Sequence, residues 1–240
     1  MKNLYKGALL AALGLASIPV AQAATYPAGE LLVGFTAGAG NDTIYDLGSE
    51  SSILASAIAA GGGAYGGGTV SWNLSSLLGG YTLSGVNWGV IGNGVNSGTP
   101  RTAYTTVAVG NTPNTFTGNS AFSKINTATV SIYNNFGAAG SGQSLSIVNT
   151  DPNSWNSQTL NPTLTTQYQN AWENPNVTGV ASADFYSVLN NGTDGTQLGT
   201  FSLSSGGTLS LDVVPEPTTC SLLGGLGVLA LTFRNKLRRK

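Results

Sequence analysis

Punctuation constrains this chain more than any other feature of its sequence. Between Thr25 and Val213, turn signals recur at short intervals: Gly38-Ala39-Gly40-Asn41-Asp42, Gly61-Gly62-Gly63, Gly66-Gly67-Gly68 and Asn190-Asn191-Gly192-Thr193-Asp194-Gly195. Glycine tolerates the backbone conformations of tight turns, and Asn and Asp hydrogen-bond their own backbone there. Such clusters end secondary-structure elements, so the runs between them must be short. Residues 30–35, 43–47, 86–91, 102–109, 144–148, 183–189, 198–203 and 208–213 are predicted as strands. The last two, LGTFSL and TLSLDV, alternate apolar with polar and are joined by Ser204-Ser205-Gly206-Gly207. That pattern predicts a β-hairpin with one buried and one wet face.

Two stretches carry helical spacing instead. Residues 49–60 place Ile53, Ala57 and Ile58 along one side and end at three glycines. Residues 122–136 place Ile125, Ala128, Ile132 and Phe136 on one face, with Asn119 or Ser120 as cap and Gly137 as stop. Short strands with few helices predict a mainly β, antiparallel sandwich or jelly-roll-like single domain over residues 24–213. Residues 149–176, rich in Asn, Pro, Thr and Gln, read as a long surface excursion. No internal repeat is present.

Composition fits an exported β-domain. The chain of 240 residues carries 34 Gly and only 8% charged residues, against roughly 25% in an average globular protein. Disorder usually requires low hydrophobicity with high net charge, and here 41% of residues are hydrophobic. Within residues 24–213 the only cations are Arg101 and Lys124, against nine acids, a net charge of −7. An acidic surface argues against nucleic acid, whose binding depends on Lys and Arg at phosphates. There is no His, and the one Cys, Cys220, lies near the C-terminus. Ser-His-Asp, Cys-His and His-based metal chemistry are thereby excluded for this domain.

The two ends read as addresses. Residues 1–23 have two cations, Lys2 and Lys6, then an apolar stretch and the small-residue pattern Ala21-Gln22-Ala23. This predicts a secretory signal peptide cleaved after Ala23, engaging the secretion machinery, with a retained N-terminal anchor as the competing outcome. Residues 214–240 read VPEPTTCSLLGGLGVLALTFRNKLRRK. As a helix, residues 218–233 would be about 24 Å long at ~1.5 Å per residue, just enough to cross a ~30 Å hydrocarbon core if flanking residues snorkel. Arg234, Lys236, Arg238, Arg239 and Lys240 would then act as a cytoplasmic stop, leaving the domain outside.

Pro215-Glu216-Pro217, the apolar run and the basic end, in that order, resemble a PEP-CTERM sorting signal. The resemblance implies a precursor held transiently at the inner membrane of a Gram-negative bacterium. It implies an exosortase-type enzyme recognising the Pro-Glu-Pro segment, and a mature form at the cell envelope or extracellular matrix. It also ties the route to exopolysaccharide-producing, biofilm-forming cells, with exopolysaccharide as a prospective partner and a structural or adhesive role as the expectation. The domain itself loosely resembles a group of PEP-CTERM proteins of unknown function, through residues 30–35, 45–48, 88–92 and 198–203. That likeness implies a shared β fold and transfers no catalytic residue.

Candidate chemistry in the domain is sparse, and no enzyme activity or cofactor is predicted. A Ser-Lys pair would have to use Lys124, which sits on a polar helix face. Asp42, Asp46 and Glu50 recur every four residues across a predicted turn, where they need not converge on a sugar. The same acids, or Asp151 with Asn153, could offer oxygens to Ca²⁺, but neither set follows a calcium-loop pattern and turn capping accounts for both. Gly92-Asn93-Gly94 lies in a β context and not in a phosphate-binding strand–loop–helix unit. Trp88, in an apolar strand, is predicted in the core. Trp155 and Trp172, in the polar excursion, are the aromatics best placed for an exposed glycan platform, the alternative function being a carbohydrate-binding module. Sequons at Asn41, Asn73, Asn176 and Asn191 are expected by chance in a chain so rich in Asn and Thr.

Overall fold

A computed structural model describes residues 26–37, 40–61, 67–79, 81–94, 101–113, 119–136, 141–160 and 175–214, with side chains left out for Leu83 and residues 119–125. The predicted signal peptide, the tail beyond Val214 and Trp172 lie outside the described residues. Among the described residues ten strands form: β1 (Glu30–Thr36), β2 (Asn41–Ser49), β3 (Thr69–Asn73), β4 (Asn87–Asn93), β5 (Thr102–Ala108), β6 (Ser144–Val148), β7 (Val177–Thr178), β8 (Ser182–Leu189), β9 (Thr196–Leu203) and β10 (Thr208–Val213). Three α-helices accompany them there: α1 (Glu50–Ala60), α2 (Asn119–Tyr133) and α3 (Trp155–Thr159). Each strand run read from the sequence is present, with ends shifted by at most two residues.

The expected two-sheet sandwich is not what these strands build. They form one antiparallel sheet in the order β3-β10-β9-β8-β5-β4-β1-β2-β6, with β7 pairing a short part of β4. Local hairpins account for β1–β2 and for the β8–β9–β10 run, whereas β1–β4, β5–β8, β2–β6 and β3–β10 join distant segments. The sheet curls. Phe35 on β1, Trp88 on β4, Phe185 on β8, Phe201 on β9 and Leu211 on β10 share one buried cluster. β1 and β10 are five strands apart in the order, which in a flat sheet would be about 24 Å at ~4.8 Å per strand. Their common cluster therefore needs strong curvature, the usual result of accumulated strand twist.

Helix α1 packs against β2 on one side and β3 and β10 on the other, so it bridges the two arms of the curl. Its Ile53 and Ala57 point inward as expected, but Ile58 is exposed, which corrects the predicted apolar side. Gly61 ends the helix, its N–H donating to Ala57 O at 3.0 Å. On the opposite face of the sheet, α2 and α3 cover a second cluster containing Leu32, Ile44, Ile91, Ala128, Ile132, Tyr133, Trp155 and Val188. Ala128 and Ile132 face this cluster as their spacing predicts, and a 3₁₀ turn at Asn134–Phe136 extends α2.

The first part of the predicted surface excursion is interior. Ser154, Trp155, Ser157, Gln158 and Thr159 are buried. Ser154 caps α3, its Oγ accepting from Ser157 N at 3.1 Å. A polar composition can hide in this way when every hydroxyl finds a local partner. The slot that receives α3 is cut by Gly34 on β1, where a Cβ would meet Trp155 Cδ2 at 1.8 Å.

The wing β3–β10–β9–β8 has a different polar face. Ser71, Ser210, Ser202 and Ser182 stand in register across the four strands, and Thr69, Asp212, Thr200 and Asp184 form the next row. Neighbours bond in pairs: Ser71 to Ser210 at 2.8 Å, Thr200 to Asp184 at 2.9 Å, and Thr69 to Asp212.

Candidate functional site

The acids singled out by spacing do not converge on one another. Asp42, fully buried on β2, accepts from Asn156 N at 2.6 Å through Oδ2, with the Thr36 and Ser154 hydroxyls beside it. It holds the N-terminal end of α3, where an anion is favoured by the exposed N–H groups. Burial raises its carboxyl above the usual range and these hydrogen bonds oppose the rise. Glu50, at the start of α1, accepts from the Tyr104 hydroxyl on β5, and burial raises both groups. Asp151 accepts from Asn153 N at 2.8 Å, the turn-capping contact that its spacing suggested. Among the described residues no three acid or thiol groups gather to hold a metal ion.

Asp46 has an unanticipated partner in Glu30. The β1–β2 ladder shifts register between Leu31 and Leu32, so Leu31 opposes Gly48 and Leu32 opposes Asp46. Such a bulge re-aims side chains locally. Gly48 takes φ +98°, a left-handed conformation suited to glycine, and donates its N–H to Asp46 Oδ1 at 2.9 Å. Asp46 Oδ2 and Glu30 Oε2 are buried and find no other donor, and the two carboxyl groups lie close enough to share a proton in a hydrogen bond. Burial, then the Asp46 charge, then that hydrogen bond push the Glu30 carboxyl up to about 7. Asp46 is also raised by burial, while the Gly48 N–H and Glu30 favour its charged form. The pair therefore holds a proton that an isolated carboxyl would release, because two like charges in contact cannot both ionise cheaply.

Aromatic rings close this pair from the other side. The Tyr26 hydroxyl accepts from Asn93 N at 2.8 Å and donates to Glu30 O, and its ring meets Tyr133 edge-on at 5.2 Å. Both phenols are raised by burial and by the nearby Glu30 and Asp46. Asp46 is sealed from solvent, whereas Glu30 is half-buried and lines a cavity of about 340 Å³. That cavity lies between α1 and the β2 and β3 strands. Its walls include Ser49 at the end of β2, Ser52 and Ser56 from the helix, and Val70 and Trp72 from β3.

A second cavity, of about 380 Å³, sits beside the β9–β10 turn, with Phe35, Leu78, Tyr81, Val86 and Leu203 among its walls. Phe35, Val86 and Leu203 belong to the buried core, and the Tyr81 hydroxyl is engaged by Asn41 O at 2.8 Å.

The carboxyl pair does not have the geometry of a glycosidase. Those enzymes separate two carboxyls by ~5–9.5 Å across the scissile bond, whereas Glu30 and Asp46 contact each other and one is sealed off. Lys124 lies on α2 with its side chain outside the described residues. Trp88 is fully buried in the core, with Nε1 donating to Val180 O at 2.9 Å. Trp155 is not an exposed platform: it is fully buried, and its Nε1 donates to Asn176 Oδ1 at 2.6 Å. A large apolar ring gains most by filling the Gly34 slot, and Ser154, Ser157, Thr159 and Asn176 around it bond among themselves or to the indole. From the sequence Trp72 is one of four tryptophans, with Trp88, Trp155 and Trp172, that could stack on a sugar face, but it was not the one favoured, and Glu30 was missed. Glu30 was legible as an acid opening an apolar strand; β3 was hidden because it is short and follows two glycine clusters.

Comparison with known proteins supplies the remaining landmark. A model of the PEP-CTERM protein-sorting motif matches residues 213–239, which include Pro215, Glu216 and Pro217 and the basic residues through Arg239. No curated protein and no solved structure matches the chain. Among the described residues no helix is long and apolar enough to cross a membrane; the expected spanning segment, residues 218–233, lies outside them.

Proposed function

We propose that this chain is the precursor of an exported, non-enzymatic β-domain, delivered through exosortase processing to the cell envelope or extracellular matrix of a Gram-negative bacterium. There it plays a structural or adhesive part among exopolysaccharides. The sorting motif is the observation that carries this reading, since it implies an exported, membrane-anchored precursor and an exosortase acting on it. Its position in the fold adds support. The motif begins at Val213, the residue at which β10 ends, and β10 is paired on both sides, by β3 and β9. Removing the chain from Pro215 onward therefore takes none of the ten described strands from the sheet. Two prolines disfavour helix at the junction and keep it extended, as a protease-type cleft requires.

Mass spectrometry of the C-terminal peptide, from envelope and extracellular fractions of the native host, tests this. A mature terminus at 215–217 without peptides from 220–240 is the expected result. An intact tail retained in the membrane fraction would mean a permanent anchor and defeat the delivery step. A carbohydrate-binding module is the second reading. It rests now on Trp72 beside the cavity between α1 and β3, since Trp155 is unavailable.

A further inference from the structure

We propose that the cavity bounded by α1, β2 and β3 binds one ring of a neutral glycan, with Trp72 as its stacking surface and Glu30, Ser49, Ser52 and Ser56 as its hydrogen-bonding edge. The inference rests on the carbohydrate-binding reading and gives it a site and a ligand class. A pyranose presents an apolar C–H face and an edge of hydroxyls, so its complement is an aromatic ring set beside small polar groups. Pockets for small ligands start near ~300 Å³ and combine apolar walls with a few placed polar atoms, and this cavity of about 340 Å³ does so. Ser52 and Ser56 are one helical turn apart, and Ser49 stands at the N-cap below them, so the three hydroxyls share one side of α1. Ser49 and Ser52 already bond at 2.8 Å, and both keep capacity for a further partner.

Charge selects the neutral class. Among the described residues no Lys or Arg lines the cavity, and the one ionisable group that does is Glu30, hydrogen-bonded to the Asp46 carboxyl behind it. An anionic sugar would meet the pair's negative charge with no cation to offset it. With the pair's proton held between Glu30 and Asp46, Glu30 offers a sugar hydroxyl an acceptor oxygen. The other cavity lacks this combination, because its phenylalanine is sealed in the core and its tyrosine hydroxyl is engaged.

The test is calorimetric titration of the full chain in a zwitterionic detergent without a sugar headgroup. Cellohexaose, chitohexaose and mannohexaose serve as neutral probes, and an alginate hexamer as the acidic one. Saturable binding of at least one neutral probe is expected, weakened tenfold or more by Trp72→Ala and restored to within a few-fold by Trp72→Tyr. Trp72 also packs near Phe201, with ring centroids 6.2 Å apart, so its loss could unsettle the fold. Ser56→Arg is the second variant. It sits on an exposed helix position, leaves the core untouched and fills the mouth of the cavity, and an equal loss of binding is expected. Binding that survives both Trp72→Ala and Ser56→Arg, or that favours alginate, overturns the site and leaves carbohydrate binding elsewhere standing. Failure of all four probes to bind overturns both. Neither result bears on tail processing, which the C-terminal peptide reports independently.

Discussion

Two regions of this sheet solve the same problem in opposite ways. At the corner formed by β1, β2 and α1, four of the nine domain acids are drawn inward: Glu30, Asp42, Asp46 and Glu50. On the wing formed by β3, β10, β9 and β8, the polar face is mostly hydroxyls that bond in pairs across strands. The corner is covered by helices and holds its acids with a helix end, a phenol and a shared proton. The wing is less covered: Asp184 is buried there and held by Gly110 N and Thr200, but the remaining members of both rows are half-buried or exposed and can trade a neighbour for water. Burial, and not residue type alone, makes a polar group consequential: a buried group left unpaired costs far more than a hydrogen bond contributes at the surface.

Substitutions should separate the two regions sharply. The largest effect is expected from Gly34→Ala at the corner. Its Cβ would lie 1.8 Å from the Trp155 ring, and expelling that ring should cost about 3 kcal/mol in a urea melt of the full chain. A loss near zero would show that α3 docks loosely and that the corner is no tighter than the wing.

An intermediate effect is expected from pH. The unfolded chain releases the Glu30 proton near 4.5, whereas the folded chain holds it until about 7. Stability from the held proton is complete below that window, falls as pH rises through it and levels off above it. Glu30→Gln should flatten this part of the curve. A residual slope is expected from Asp42 and Glu50, which burial also raises. Denaturation midpoints at pH 4.5 and 8 suffice, and an unchanged difference in the variant would remove the shared proton from the account. The smallest effect belongs to the wing. Ser210→Ala deletes the centre of the serine row and should change stability by no more than about 0.5 kcal/mol. A larger loss would mean that the row acts as a connected network and not as independent pairs.

The sequence was a good guide to elements and a poor one to their assembly. Turn clusters and alternation located β1, β2, β4, β5, β6, β8, β9 and β10, and the helical spacing located α1 and α2. The short β3 and β7 and the buried α3 escaped, because their residues are polar or bracketed by glycine. The site was hardly legible. Spacing selected Asp42, Asp46 and Glu50, which point to three different partners, and the companion of Asp46 stands sixteen positions earlier, at Glu30. Trp155 misled because a polar neighbourhood suggests exposure, whereas Ser154, Ser157, Thr159 and Asn176 bond among themselves or to the indole.

What the sequence determined by itself is local or terminal. It set where the strands break, since turns depend on the φ freedom of Gly and on short side-chain bonds of Asn and Asp. It also carried the sorting motif, whose meaning lies in the linear order of a proline pair, an apolar run and a basic end. Only the tertiary structure decided that one curled sheet forms in place of a sandwich, because the pairings β1–β4, β5–β8, β2–β6 and β3–β10 join segments that share no local signal. The same pairings decided the carboxyl partnership: Glu30 and Asp46 meet beside a bulge that shifts the β1–β2 register, and burial in the packed sheet raises both carboxyls.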